Sequence, residues 1–527
     1  MTRRAHRAQS YLAGIFQGTA LPDQKVEMTE KGPGGEPLTR GLILLGTGQA
    51  FFIVFGYAFH IYLARVLGPT DYGLFGFVFT VLVWLEIFTY GMRDAAIQYI
   101  NMVPGSFFHL RRSFFRVQIL ISCTIFLLAN LAFAPLALTN TRYDALFLVA
   151  FLDLPLMGIY QLYLGYLNAF RLYSRQSAGL IVYAVAKAAF IILLVWVGWG
   201  MTGALFGNIF SSLFAFITCF MLFRPKKESE LAVTTGPQPD AWQVAVFPST
   251  RSIISSSFLF IVIPLFYNLM MSADLWIANL VIGGETTGFY VAAGTVAKTV
   301  FFLFAAFNMA IFPAIVASLR RKDRLRSSRL FYLSFALFFF IALPASLLLA
   351  VNAREIAVLI YGSAYASSSS VIGILSLAYF FLTLKVFFIY ILYAGEHRKE
   401  AVRTLLGITA AGLPLIYLLT RWIGIRGTAL GTALACLCGC ALSYVFIFRT
   451  MRLGWTIRKT ALSVGIALLS FLPLLFIPKN QASFIPLSLL SVIIYYLCLV
   501  RVGLLASSFP RDLFKAVTGS FSDRGNS

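Results

Sequence analysis

Apolar runs long enough to cross a lipid bilayer recur along the whole chain. A membrane-spanning helix needs about 20 consecutive apolar residues. In this chain 59% of the residues are hydrophobic and only 12% are charged. Long continuous runs, rather than short segments of alternating polarity, favour helices over a β-barrel. The sequence therefore predicts an all-α polytopic membrane protein.

Run lengths and flanking polar residues predict fourteen transmembrane helices. Six form a first lobe (the N-lobe), six form a second lobe (the C-lobe), and two follow at the carboxyl end. The first 40 residues lack the apolar stretch of a cleavable signal peptide, so they are predicted to form a cytosolic tail. The predicted segments are the N-terminal tail 1–40, the N-lobe 41–223, a cytosolic linker 224–252, the C-lobe 253–448, the last two helices 449–505 and a cytosolic C-terminal tail 506–527.

An internal repeat relates the two predicted lobes. A short polar hairpin at Leu63–Gly76 separates the first two apolar runs, and its glycine pattern returns 215 residues later in an equivalent position. A second glycine pattern recurs before the last helix of each lobe. The matched patterns are Gly68-x4-Gly73-x-Phe75 with Gly283-x4-Gly288-x-Tyr290, and Gly200-x2-Gly203-x3-Gly207 with Gly424-x2-Gly427-x3-Gly431. An even number of helices per lobe predicts lobes related by an axis along the membrane normal, with a cleft between them.

The distribution of basic residues predicts the orientation of the chain. Lys and Arg collect in the cytoplasmic loops of membrane proteins. With the amino terminus inside, 33 of the 42 Lys and Arg residues fall in cytoplasmic segments and 6 in outer loops. Both termini are therefore predicted to be cytoplasmic, and the hairpin at Leu63–Gly76 to face outward. The net charge of +22 is explained by orientation and not by a nucleic-acid partner.

Motifs of soluble enzyme chemistry are missing from the sequence. There is no P-loop, no His-Glu-x-x-His and no Gly-x-Ser-x-Gly, and the loops are too short for a catalytic domain. We therefore predict a protein that is not an enzyme. Cys436, Cys438 and Cys440 lie at spacings that spread them around a helix, so neither a disulfide nor a metal site is predicted there.

Ionisable side chains inside the predicted spans are the candidate site residues, because such groups usually face a cavity or one another. No catalytic residue and no metal ligand is predicted. The basic candidates for contacts with a phosphate-bearing substrate are Lys187, Lys298, Lys385 and His60. The acidic candidates for sugar contacts or for binding a coupling ion, Na⁺ or H⁺, are Glu86, Asp153 and Asp274.

Structural roles for the same groups are left open by the sequence. Glu86 lies two helical turns from Arg93 and could pair with it. Asp274 and Lys298 are predicted at similar depth on neighbouring helices and could form an ion pair. Lys385 lies near the end of a span, from where a long side chain can reach the membrane surface. His60 could be a neutral histidine of the core.

The hairpin sequence resembles that of a known transporter family. Residues 64–76, Ala-Arg-Val-Leu-Gly-Pro-Thr-Asp-Tyr-Gly-Leu-Phe-Gly, are similar to the first-hairpin signature of the Wzx-like polysaccharide transporters of the multidrug/oligosaccharidyl-lipid/polysaccharide (MOP) superfamily. Residues 274–293 resemble the signature between that family's seventh and eighth helices, and Phe312-Pro313 resembles the end of its eighth. The resemblance covers residues 40–505. Lipid II flippases, a related branch, tend to carry an Arg-Asp pair shortly before this hairpin, and this chain has Phe59-His60 at about that place.

The resemblance implies a fold and a function. It implies a V-shaped, MATE-like bundle of two six-helix lobes plus two helices, which works by alternating access. It also implies a cargo: a polyprenyl-diphosphate-linked oligosaccharide, turned from the cytoplasmic to the outer leaflet of the inner membrane for cell-surface polysaccharide biosynthesis. Glycosyltransferases or a polymerase of the same pathway are the implied partners. The alternatives are a cation-coupled drug exporter of the same superfamily and an integral glycan polymerase or transferase.

Overall fold

The computed structural model is helical almost throughout the part of the chain that it describes. This part comprises residues 38–102, 107–139, 141–223, 250–320, 323–394, 397–451, 457–479 and 483–504. The predicted tails and most of the predicted linker at 224–252 lie outside the described residues, and the segment boundaries assigned from the sequence stay predictions.

The N-lobe is built from the first six α-helices. They are α1 (Leu38–Met102), α2 (Phe107–Thr139), α3 (Thr141–Phe151), α4 (Asp153–Ala169), α5 (Tyr173–Leu194) and α6 (Gly200–Leu222), with a π-helical turn at Val195–Trp199 between the last two. The helix α1 is in fact two helices joined at Gly68, whose φ of 71° lies in the left-handed region that favours glycine. The first of these is called here the first arm of α1 and the second its second arm.

The C-lobe of the described chain contains eight helices, and two further helices follow it. The C-lobe contains α7 (Thr250–Val281), α8 (Gly284–Arg320), α9 (Arg324–Leu337), α10 (Leu343–Val351), α11 (Ala353–Tyr361), α12 (Ser369–Ala394), α13 (Arg398–Ile423) and α14 (Ile425–Met451). A π-helical turn at Phe338–Ala342 and a 3-10 turn at Ser363–Ser368 connect its middle helices. After the C-lobe come α15 (Ile457–Phe471), a 3-10 turn at Leu472–Leu475 and α16 (Phe484–Arg501).

The number of membrane crossings is compatible with the predicted fourteen. Within the described residues, 11 helical stretches are long and apolar enough to span a bilayer. Two of them, Ile43–Ile100 and Tyr173–Leu222, are 58 and 50 residues long, and each contains a glycine with positive φ near its middle. Each is therefore long enough for two crossings, since one crossing takes about 20 residues. The helix α7 stands outside this set of 11.

The repeated glycines bring helices together in the same way in both lobes. A Cβ atom on Gly207 would lie 2.7 Å from the Cα atom of Ile191, and one on Gly431 would lie 2.8 Å from the Cα atom of Ile416. Both glycines therefore allow the last helix of a lobe to contact the backbone of the helix before it. The recurrence of this contact supports the internal repeat.

The two lobes share a hydrophobic core at one end of the bundle. This end carries the turns at Gly68 and Gly283 and is called here the hairpin end; the opposite end, where α6 finishes and α7 begins, is called the linker end. The shared core joins Tyr72 and Phe75 of the N-lobe to Tyr290 and Tyr365 of the C-lobe. The lobes are therefore in contact at the hairpin end, and this contact positions the cavity described next.

Candidate functional site

A cavity of about 310 Å³ lies between the two lobes. Both arms of α1 and the helix α5 form most of its N-lobe wall, to which α4 adds Met157, and α7, α8 and α12 form its C-lobe wall. Aromatic side chains dominate the lining, among them Tyr57, Phe79, Tyr267, Tyr290 and Tyr379. The position between the lobes is the one that the internal repeat predicted for a cleft.

The cavity gathers most of the charged side chains that were predicted to be functional. Those on its wall are His60, Glu86, Lys187, Asp274 and Lys298. Asp153 and Lys385 do not reach the wall. Residues from the first, second, fifth, seventh and eighth predicted helices thus meet at one site, which spacing along the chain does not reveal. Their roles in binding cargo or ions stay predictions.

Lys187 lies on α5, and its side chain is 6% exposed. Its Nζ atom donates a hydrogen bond of 3.2 Å to the hydroxyl of Tyr183 and lies 4.6 Å from the centre of the Phe79 ring. Aromatic faces attract a cation at such distances. Glu86 and Asp153 act on this ammonium group electrostatically. Lys187 is thus held between an aromatic wall and two carboxyl groups, at the edge of the cavity.

Asp274 and Lys298 lie on the C-lobe side of the cavity. The carboxylate of Asp274 accepts hydrogen bonds from the Leu275 backbone N–H at 2.8 Å, the Tyr290 hydroxyl at 2.7 Å and the Thr432 hydroxyl at 3.2 Å. Lys298 is half-buried, with its Nζ atom 6.0 Å from the centre of the Tyr379 ring. No ion pair within 4.0 Å joins these two groups in the described chain. Lys298 is therefore available to an anion in the cavity.

Glu86 does not pair with Arg93. It accepts a hydrogen bond of 2.9 Å from the Tyr90 hydroxyl. Arg93 instead forms an ion pair of 2.9 Å with Asp94 and donates to the side-chain oxygen of Gln161 at 3.1 Å. The alternative that Glu86 pairs with Arg93 is therefore wrong, and Glu86 is one of the residues that line the cavity.

His60 is half-buried at the end of the cavity nearest the hairpins. Its Nδ1 atom lies 3.1 Å from the hydroxyl of Tyr72, and its ring stands 4.4 Å from that of Phe59, centre to centre. Phe75 and Phe79 contact the imidazole edge-on, with ring centres 6.2 and 6.0 Å away. His60 is therefore both a core residue and a lining residue.

Lys385 is fully buried within the C-lobe. Its side chain packs against Gly439 of α14, where an added Cβ atom would lie 2.8 Å from the lysine Cδ atom. Its Nζ atom makes no hydrogen bond to any described residue. Because the side chain is 0% exposed, Lys385 does not extend to the membrane surface. It is also separated from the cavity wall, so a role in contacting cargo would require a different conformation.

The hairpin end closes the cavity through direct contacts between the lobes. A Cβ atom on Gly73 would lie 2.5 Å from the backbone nitrogen of Gly288, and one on Gly288 would collide with the carbonyl oxygen of Pro69. The hydroxyl of Tyr365 donates a 2.8 Å hydrogen bond to the carbonyl oxygen of Ala64. The repeated hairpin glycines thus allow the two hairpins to meet backbone to backbone.

Arg65 crosses the same interface. Its Nε and Nη2 atoms donate hydrogen bonds of 2.8 Å each to the carbonyl oxygens of Ile360 and Leu359, in the last turn of α11. These carbonyls have no partner within the helix, and the negative end of the helix dipole favours a cation there. Arg65 therefore holds the closed hairpin end from outside the cavity.

We expect Arg65→Gln to loosen the hairpin end. An exposed charge-assisted contact contributes about 1 kcal/mol or less. A cysteine reporter at Gly294, a cavity position with no atom within 4 Å, should then react about three- to fivefold faster with a charged thiol reagent added on the hairpin side. Arg426→Gln is the matched control, because Arg426 is exposed and bonds only to Ser370 of its own lobe among the hydrogen bonds of the described chain. Equal rates in both variants would contradict this role.

The first arm of α1 packs against α8 along a line of contact that is called here the seam. One part of this seam is lined by apolar side chains. The hydroxyl of Tyr57 bridges it, accepting from the Thr299 hydroxyl at 2.7 Å and donating to the Thr295 carbonyl oxygen at 3.1 Å. On the linker-end side of Tyr57 the cavity wall is Phe52, Ile53, Phe301 and Phe302. Neighbouring Phe51 and Leu303 are exposed on the outside of the bundle, at 40% and 43%. Apolar side chains therefore stand on both faces of the wall here.

Asn208 and Thr432 are polar residues that the sequence reasoning missed. The Nδ2 atom of Asn208 donates a 2.7 Å hydrogen bond to Asp153, as Thr432 donates to Asp274. Each follows directly after the third glycine of the repeated pattern. A search for polar residues at equivalent positions of the repeat would have found them. Among the described residues, no group of three His, Cys, Asp or Glu side chains is arranged to hold a metal ion.

Fold and site together define a two-lobed polytopic membrane transporter. The chain belongs to a family described as polysaccharide biosynthesis proteins, whose model matches residues 38–319, more than half of the chain. No curated protein matches the sequence. This family membership confirms the resemblance seen in the hairpin motifs.

Solved structures of low sequence identity share the fold. The lipid II flippase MurJ in an inward closed conformation superposes with a TM-score of 0.66 at 13% identity, over 90% of this chain and 100% of that one. An inward-facing MATE multidrug resistance transporter of the MOP superfamily gives 0.62 at 12% identity, over 79% and 98%. An outward-facing MATE structure gives 0.55 at 13% identity, over 81% and 98%. The predicted MOP-type fold class is therefore confirmed.

Proposed function

We propose that this protein turns a polyprenyl-diphosphate-linked oligosaccharide from the cytoplasmic to the outer leaflet of a cytoplasmic membrane. The observation that carries the proposal is the cavity between the lobes, in which Lys187 and Lys298 stand on opposite walls among aromatic side chains. Ammonium groups suit a diphosphate, and aromatic rings offer faces on which sugar rings stack. The family to which the chain belongs supports a glycan as the cargo.

The apolar seam suits the lipid part of such a cargo. A polyprenyl chain is too long to enter a cavity of this size, so it has to stay in the bilayer while the headgroup crosses. The wall between the first arm of α1 and α8 is apolar on both faces, and there the lipid chain would pass from the cavity to the bilayer. Among the described residues, the hydrogen bonds that cross this seam are the two of Tyr57, and parting the seam breaks them.

The closed hairpin end supports a state that loads from the cytoplasm. Basic residues are concentrated at the linker end, and this supports a cytoplasmic position for that end. Alternating access then consists of parting the hairpins and closing the linker end. Membrane glycosyltransferases would supply the cargo, and a polymerase or ligase would consume it.

Translocation by the purified protein in liposomes tests the proposal. A fluorescent polyprenyl-diphosphate glycan is incorporated on one side, and the accessibility of its headgroup to a membrane-impermeant quencher is followed with time. We expect a quenched fraction that grows only when the protein is present. A headgroup that never changes sides would overturn the proposal. Drug resistance on expression would favour an exporter, and glycan lengthening without translocation would favour a polymerase.

A further inference from the structure

Four hydroxyl groups lie together inside the closed hairpin end. They are called here the hydroxyl cluster and belong to Tyr72 of α1, Thr295 of α8, Tyr361 of α11 and Tyr365 of the 3-10 turn that follows α11. The three tyrosine side chains are 0%, 3% and 1% exposed, and Thr295 is also on the cavity wall. Purely apolar side chains would close this end at lower cost, because each buried hydroxyl has to be desolvated. The hydroxyls therefore indicate a role besides closure.

The Tyr361 hydroxyl is the member of this cluster that makes no hydrogen bond to any described residue. Its polar neighbours are Tyr72 and Thr295, and both are engaged elsewhere. The Tyr72 hydroxyl pairs with Nδ1 of His60 at 3.1 Å, and the Thr295 hydroxyl donates to the carbonyl oxygen of Val291 at 2.8 Å. A buried hydroxyl without a partner is unfavourable, so the closed state leaves Tyr361 unsatisfied.

Tyr365 is the opposite case beside it. Its hydroxyl donates a 2.8 Å hydrogen bond to the carbonyl oxygen of Ala64 in the other lobe. The ring centres of Tyr361 and Tyr365 are 5.3 Å apart, so the two tyrosines adjoin each other and differ in what their hydroxyls contact. The Tyr365 hydroxyl therefore holds the hairpin end closed, whereas the Tyr361 hydroxyl does not.

The hydroxyl cluster is divided between the lobes. Tyr72 belongs to the N-lobe, and Thr295, Tyr361 and Tyr365 belong to the C-lobe. Parting of the hairpins therefore splits the cluster. Its hydroxyls and ring faces then line the path that leads out of the cavity, because Thr295 already stands on the cavity wall.

The members of the cluster are uncharged side chains, and charged groups lie beyond its two ends. On the cavity side, Lys187 and Lys298 act electrostatically on His60, which bonds to the cluster. On the other side, the exposed Glu285 acts on Tyr365. Ammonium groups suit phosphate, whereas neutral hydroxyls and aromatic faces suit uncharged sugar rings. The chemistry therefore changes from phosphate-binding to sugar-binding along the way out.

We propose that the hydroxyl cluster is a sugar-binding subsite of the outward-open state, in which the Tyr361 hydroxyl bonds to a sugar residue close to the diphosphate. With the diphosphate at Lys187 and Lys298, the sugars attached to it extend past His60 between the parted hairpins. Because the subsite forms only when the hairpins part, the glycan favours the open state. This subsite rests on the proposed function and assigns the cluster to the sugar part of the cargo.

Distances between two spin labels on the full-length protein in lipid nanodiscs measure opening of the hairpin end. The labels are attached at Thr70→Cys, in the N-lobe hairpin, and at Ala364→Cys, beside Tyr365, in a variant whose six native cysteines are replaced by alanine. Both positions are exposed. Without cargo, Tyr365→Phe should raise the open-to-closed ratio about 2- to 12-fold, because the closed state loses a hydrogen bond. Tyr361→Phe should not raise it, and a rise like that of Tyr365→Phe would overturn the proposal.

Cargo lipids test the sugar contact itself. The fluorescent polyprenyl-diphosphate glycan should raise the open-to-closed ratio of the wild type more than polyprenyl diphosphate without sugar does. This sugar-dependent gain should be about 2- to 12-fold smaller in Tyr361→Phe, which loses one hydrogen bond to the glycan. Equal effects of the two lipids on the wild type, or an equal gain in the wild type and Tyr361→Phe, would overturn the subsite.

Failure of the subsite and failure of the proposed function give different results. If the protein translocates the glycan lipid in liposomes while Tyr361→Phe opens as the wild type does, the function stands and the subsite is rejected. If the glycan favours opening through Tyr361 but never changes sides in liposomes, the subsite stands and the function is rejected.

Discussion

Replacing Lys298 by methionine is expected to slow translocation of a polyprenyl-diphosphate glycan by about 10- to 100-fold at limiting cargo, since a hydrogen bond to a charged group contributes about 1.5–3 kcal/mol. Lys298 makes no ion pair in the described chain and lies half-buried on the cavity wall. The loss should therefore appear as weaker cargo binding with an unchanged folded state. The measurement is the initial rate of headgroup quenching in liposomes as a function of cargo density.

Lys187 requires a more careful variant, because its ammonium group also balances buried carboxylates. Lys187→Met alone would leave Glu86 and Asp153 without a cation, at a cost of about 3–5 kcal/mol in stability. The double variant Lys187→Met/Glu86→Gln removes one charge of each sign. We expect this pair to retain the thermal stability of the wild type and to lose translocation to the same degree as Lys298→Met.

A matched control lysine lies outside the cavity. The Nζ atom of Lys459 lies 3.4 Å from the Tyr332 hydroxyl and 5.0 Å from the centre of its ring, much as Lys187 contacts Tyr183, but it is exposed and is not part of the cavity wall. Lys459→Met should translocate at the wild-type rate. If all three lysine variants behaved alike, general loss of positive charge would explain the result, and cargo contact in the cavity would not.

Replacing Gly288 by alanine is expected to keep the hairpin end from closing. The added Cβ atom would collide with the carbonyl oxygen of Pro69, which is backbone and cannot rotate away. Relief requires the two hairpins to separate, and overpacking of this kind costs about 1–3 kcal/mol. A cysteine reporter at Gly294 should then react about 5- to 100-fold faster with a charged thiol reagent from the hairpin side.

Gly407→Ala is the control for this effect, because Gly407 is exposed and has no atom within 4 Å of the added Cβ position. Its labelling rate should match that of the wild type. We also expect Gly288→Ala to translocate slowly, since a transporter that cannot close one end cannot complete its cycle. Unchanged labelling at Gly294 in Gly288→Ala would mean that the hairpin contact does not close the cavity.

Much of the fold followed from the sequence, because hydropathy and repetition are direct signals. Apolar runs indicated helices, and the recurrence of the Gly68–Gly73 pattern at Gly283–Gly288 indicated two lobes that face each other. The structure adds that Gly73 and Gly288 are in contact. This contact depends on the angle between the two lobes. The sequence pattern within one lobe does not determine that angle.

The sequence predicted which residue types form the site, but only partly which of those residues line the cavity. The sequence proposed Lys187, Lys298 and Lys385 alike as basic contacts, with Lys385 the nearest to the end of a span, and only the first two line the cavity. Residues 363–392, which contain Lys385, have a mean hydropathy of 2.2. Because this helix is apolar all round, hydropathy does not tell which of its sides faces the cavity and which faces a neighbouring helix. Asn208 was overlooked because an uncharged polar residue in a span carries a weak signal.

Photo-cross-linking of the cargo inside the cavity is the most direct test of the account. Gly56 and Gly294 line the cavity with no atom within 4 Å, and Gly46 is equally open but exposed on the same arm of α1. A diazirine-bearing amino acid at Gly56 or Gly294 should form an adduct with a labelled polyprenyl-diphosphate glycan, and excess unlabelled glycan lipid should suppress it. The same amino acid at Gly46 should give little adduct. Equal labelling at all three positions, or none at Gly56 and Gly294, would contradict passage of the headgroup through this cavity.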